Sequence, residues 1–203
     1  MKRRNLIITA GAVTAGACLI NDIYKNLSIT YPPERPDSDE GSDLIHRLLF
    51  YLDNPSYAKK EGIDIDDKYI IQAIIPAKRY IDNRYDCADF RMQTLMRILY
   101  LHGERIKSIS PEGYSLIREA FLGEKYWMTE PGEDSACYWS ENHQLLFAVS
   151  EYLAGQMWPH ERFFNDNALG LEHMNRGKKR IGYWMEHVFR HGYTELNSSN
   201  YYL

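Results

Sequence analysis

From Leu44 onward, the apolar residues of this 203-residue chain recur at three- and four-residue intervals and nowhere alternate over any length. That leaves helices as the units it can build. Leu44, Ile45, Leu48, Leu49 and Leu52 form one stripe. Tyr69–Ile81 forms a second, with Pro76 expected to kink it or end its first half. Asp86–His102 forms a third, with Phe90, Leu95, Met96, Ile98, Leu99 and Leu101 as its apolar positions and Gly103 as its stop. Ser110-Pro111-Glu112 is a start signal, combining a capping hydroxyl, a proline that needs no N–H and an acid against the helix dipole. That helix runs to Leu122–Gly123. After a turn at Glu130-Pro131-Gly132, Ser140 is placed to cap a helix from Glu141 to Met157. Its expected core face is Leu145, Leu146, Val149, Tyr152, Leu153 and Met157. A last long helix spans Leu169–Arg190, with Leu171, Met174, Ile181, Trp184, Met185 and Val188 inward and Gly192 beyond its end. Ser198–Leu203 reads as the start of another. The expected fold is all-α, made of antiparallel helical hairpins.

The first twenty residues differ from the rest. Lys2, Arg3 and Arg4 precede an apolar run from Leu6 to Ile20, shorter than the roughly 20 residues a membrane span needs and suited to a signal segment. Arg3-Arg4-Asn5-Leu6-Ile7 resembles a twin-arginine export pattern. Ala15-Gly16-Ala17 before Cys18 fits cleavage, lipidation at Cys18 or an uncleaved anchor. Export to the periplasm or cell surface is the expectation, with membrane contact through this segment alone. Residues 21–43 read as a linker, since Pro32–Asp43 holds three prolines and five acids and no apolar residue. The folded domain is then 44–203.

Hydrophobic residues at 44% and charged residues at 26% describe an ordinary globular chain. A formal net charge of −4 argues against a nucleic-acid partner. Cys87 and Cys137 carry no spacing signature: a disulfide and two buried thiols are both open.

Two clusters stand out as chemistry. The first is Cys137-Tyr138-Trp139-Ser140-Glu141-Asn142-His143-Gln144, five polar side chains over the first turn of a helix. Free N–H groups there suit an anion, and the dipole would lower the pKa of His143. The plainer reading is capping. The second is Arg190-His191-Gly192-Tyr193-Thr194-Glu195, leading to Ser198, Tyr201 and Tyr202, where nearby cations would favour a tyrosinate. His187 and His191 have helical i, i+4 spacing without a third ligand, so no metal or other cofactor is expected. Lys178-Lys179-Arg180 reads as solvated surface.

Asn142-His143 followed by Gly192-x-x-Glu195-x-x-Ser198-x-x-Tyr201 resembles the (α/α) toroid polysaccharide lyases of the heparinase II/III and alginate lyase type. Asp86-Cys87-Ala88-Asp89-Phe90 and Trp139–Gln144 also resemble uncharacterised bacterial helical-toroid proteins. The match covers residues 137–202. The resemblance implies β-elimination on an acidic polysaccharide. Asn142 and His143 would neutralise the uronate carboxylate, Tyr201 would act as base, and Arg190 would hold Tyr201 toward phenolate. Trp139 and Tyr138 would stack on sugar rings, with Glu141 and Glu195 also in the binding cleft. Glu141 stands where the family often has Asn, and His191 where Asp precedes Gly. This leaves open a hydrolase using Glu141 or Glu195 as acid, and equally an envelope protein that binds carbohydrate or a partner without catalysis. Six or seven helices supply part of a toroid, implying that a second chain or a further C-terminal region completes the ring.

Overall fold

The computed structural model describes residues 40–195. The signal, anchor and Cys18 readings, the linker up to Asp39, and Ser198, Tyr201 and Tyr202 therefore lie outside the described residues.

The described residues form seven helices in chain order: α1 Glu40–Asp53, α2 Pro55–Lys60, α3 Asp67–Asp82, α4 Ala88–Ile109, α5 Pro111–Gly123, α6 Glu141–Met157 and α7 Gly170–His191. Among the described residues there is no strand, and an isolated bridge pairs Arg162 with Leu169. The fold is all-α, as the periodicity predicts. Helix α1 starts inside the stretch read as linker, at Glu40, because its Ile45, Leu48, Leu49 and Leu52 are buried against α3 and α4.

Pro76 does not end α3, which runs unbroken from Asp67 to Asp82. Asp66 caps it by accepting the Tyr69 N–H at 2.7 Å. Burial of Ile70, Ala73, Ile74, Ala77, Tyr80 and Ile81 outweighs the roughly 3 kcal/mol a helical proline costs. Gly103 likewise does not stop α4, which continues to Ile109 with Ile106 fully buried. Phe90 and Leu101, expected in the core, are exposed instead. Ser110 caps α5 as its sequence predicts, its Oγ accepting the Gly113 N–H at 3.0 Å.

Helices α1, α3, α4 and α5 form the apolar core, and α6 joins it through α4. The buried side of α6 is not the predicted one. It consists of His143, Phe147, Ala148, Ser150, Glu151, Ala154 and Gly155, while Leu145, Leu146, Val149, Tyr152, Leu153 and Met157 are half-buried. Helix α7 packs chiefly on α6, antiparallel to it. A Cβ on Gly177 would lie 2.6 Å from Tyr152 N and 2.7 Å from Ala148 O, and one on Gly155 would strike Gly170 and Met174. The two backbones therefore meet where a side chain would hold them apart. Leu171 and Met185, expected inward, are exposed, and Phe189 is 83% exposed.

Glu124, just beyond α5, is buried, with Oε1 accepting the Lys125 N–H and Oε2 without a hydrogen-bond partner among the described residues. Burial pushes its carboxyl up to about 8, against the smaller opposing pull of that N–H and of Arg84.

Candidate functional site

The first turn of α6 and the last turns of α7 enclose a cleft of about 700 Å³. Its rings are Trp127, Trp139, Tyr183 and Trp184, and its polar lining includes Glu141, Gln144, Arg180, His187, Thr194 and Glu195. Trp139 is 71% exposed, a large aromatic face offered to solvent. Trp184 is held in place by donating its indole N–H to the Glu141 carbonyl at 2.8 Å.

Glu141 and Glu195 tie the cleft's two sides together. The Glu141 carboxylate accepts the Thr194 N–H and hydroxyl at 2.9 Å and the Glu195 N–H at 2.8 Å. The Glu195 carboxylate accepts the Asn142 N–H at 3.0 Å. Glu195 therefore occupies the place at the helix start that the sequence suggested for an external anion. Ser140 stands at the N-cap position without a capping bond from its side chain; its hydroxyl donates to Asn142 Oδ1 at 2.7 Å. The same Oδ1 accepts the His143 N–H at 2.8 Å.

His143 points to the other side of α6. Its Nδ1 lies 2.7 Å from Oδ2 of Asp89, which is fully buried in the first turn of α4. Phe90 stands edge-on to the imidazole. The bond to Asp89 raises the histidine's pKa against the opposing effect of burial, the reverse of the lowering expected from the helix dipole. Around the same ring, ligand-type atoms of Asp86, Cys137 and His143 lie within 4.8 Å of one another. Cys137 is a free thiol whose Sγ lies 3.7 Å from the Ser140 hydroxyl.

The residues singled out in the sequence thus fall into separate places. Trp139, Glu141 and Glu195 line the cleft. Asn142 and His143 adjoin it in sequence, but neither lines it. Tyr138 is 2% exposed, with its hydroxyl donating to Lys125 O at 2.9 Å, so its ring belongs to the core rather than to a sugar platform. Arg190 pairs with Glu186 one turn earlier on α7 and does not line the cleft. Tyr201 lies outside the described residues. His187 and His191 sit with ring centroids 4.9 Å apart on an exposed face.

Several lining residues had no signal of their own. Arg180, read as solvated, turns inward to Glu151 at 2.6 Å, with its guanidinium 4.8 Å from the Trp127 ring centroid. Glu151 and His173 are fully buried, with His173 Nδ1 3.0 Å from Glu151 and Nε2 3.1 Å from Asp166. This polar group fastens α6 to α7 behind the cleft. Asp89 entered the sequence reading only within the Asp86–Phe90 stretch, not as the partner of His143.

No protein-family model matches the chain, and neither a curated protein nor a solved structure does.

Proposed function

We propose that the cleft binds an acidic polysaccharide and that the protein acts on it by lyase-type β-elimination. The observation that carries the binding part is the grouping of Trp127, Trp139, Tyr183 and Trp184 around one opening, with Arg180 and His187 on its wall. Flat rings cover the apolar faces of sugars, while cationic groups suit their carboxylates. Glu141, which would otherwise repel such a substrate, has its carboxylate taken up by three donors from Thr194 and Glu195. The elimination part rests on the resemblance, with Tyr201 as the base. Export through the N-terminal segment belongs to the same reading.

A second reading is a non-catalytic carbohydrate-binding protein of the cell envelope. It is favoured by the fact that both cleft carboxylates are engaged by main-chain N–H groups rather than presented to a glycosidic oxygen. That observation also weighs against a hydrolase using Glu141 and Glu195.

Affinity and turnover on a panel of acidic polysaccharides separate these readings. Lyase action produces unsaturated uronate ends, seen as rising ultraviolet absorbance, and Tyr201→Phe abolishes the rise while leaving binding intact. Binding without absorbance supports the envelope reading. In both, Trp139→Ala weakens binding at least tenfold. A folded protein that binds none of the panel refutes the carbohydrate assignment.

A further inference from the structure

We propose that Asp86, Cys137 and His143 form a binding site for a zinc-class divalent ion, on the side of α6 away from the aromatic cleft. The three bring together a carboxylate, a thiol and an imidazole from the loop before α4, the segment before α6 and the first turn of α6. Their donor atoms lie within 4.8 Å of one another. Tetrahedral zinc, with bonds of about 2.0–2.3 Å, sets its ligand atoms roughly 3.3–3.8 Å apart. Closing the site needs side-chain torsions that bring the donor atoms up to roughly 1–1.5 Å nearer one another.

Two further observations point to a cation. Asp89 holds Nδ1 of His143 at 2.7 Å, which leaves Nε2 as the nitrogen for a metal. A buried carboxylate behind a ligating histidine fixes ring orientation and strengthens the donor. In addition, Oδ1 of Asp86 and Oδ1 of Asp89 are buried and have no hydrogen-bond partner among the described residues. Leaving a carboxylate oxygen buried and unpartnered is costly, and a divalent ion held by Asp86 offsets that cost there. Three protein ligands leave a fourth tetrahedral position for water or another small ligand.

Cobalt(II) titration of the reduced, chelator-stripped full chain tests the site. The expected result is a thiolate-to-cobalt charge-transfer band that saturates at one equivalent and is displaced by zinc. Cys137→Ser removes the band, whereas Cys87→Ser keeps it. Asp89→Asn weakens zinc binding about 10–100-fold without removing a ligand. Circular dichroism establishes that each variant is folded, and Cys137→Ala replaces Cys137→Ser if the latter is not. No band from folded wild-type protein overturns the proposal, as does a band that survives both Cys137 substitutions. The readout is independent of polysaccharide binding, so either proposal can fail alone.

Discussion

Glu141 and Glu195 hold each other's stretch of main chain: the Glu195 N–H donates to Glu141, and the N–H next to Glu141, that of Asn142, donates to Glu195. The chain beyond α7 is thereby fastened to the first turn of α6 through main-chain donors on both sides.

Glu141→Gln weakens this fastening by replacing one acceptor oxygen with a donor. The expected outcome is faster hydrogen exchange at the Thr194 and Glu195 amides and a stability loss of about 1 kcal/mol. Unchanged exchange at both amides would show that other contacts hold the segment.

Gly177 and Gly182 should respond in opposite directions to alanine. A Cβ at Gly177 meets backbone atoms of Tyr152 and Ala148, whereas Gly182 has open space. Thermal denaturation should show Gly177→Ala destabilised by about 1–3 kcal/mol and Gly182→Ala stabilised by about 0.5–1 kcal/mol.

Glu124 makes stability depend on pH. Its folded pKa, about 8, is above the ordinary carboxyl value, so the folded state binds a proton that the unfolded state releases. This contribution is fully present below the unfolded pKa and is lost as pH rises through the folded one. Glu124→Gln should remove that part of the slope. Denaturation from pH 4 to 9 should therefore show the wild type losing on the order of a few kcal/mol relative to the variant.

Glu151→Ala leaves Arg180 and the buried His173 without their shared carboxylate. A loss of about 3–5 kcal/mol is expected in chemical denaturation, because a buried pair broken on one side leaves an uncompensated polar group.

Some helix boundaries marked by local chemistry were legible in the sequence, although Pro76 and Gly103 end no helix. Ser110-Pro111-Glu112 begins α5, and Gly192 follows α7 with φ of 74°. The buried face of α6 was not, because apolar periodicity finds leucines and misses a face built from glycine, alanine and a carboxylate. Glu151 and Gly155 are buried there while Leu145 and Leu146 are half-buried. The same limitation hid the cleft: Arg180 looks like the end of a basic run until Glu151 is found beneath it. Asp89 and His143 are far apart in the chain, and no local rule pairs them.

The glycine contacts between α6 and α7 also act as a register pin. Sliding α7 by one turn, about 5.4 Å, would carry side-chain-bearing residues into the places where Gly170 and Gly177 clear the α6 backbone. It would also part His173 and Arg180 from Glu151. Close approach and charge pairing therefore select the same alignment, and the cleft between Trp139 and Trp184 inherits its width from that alignment.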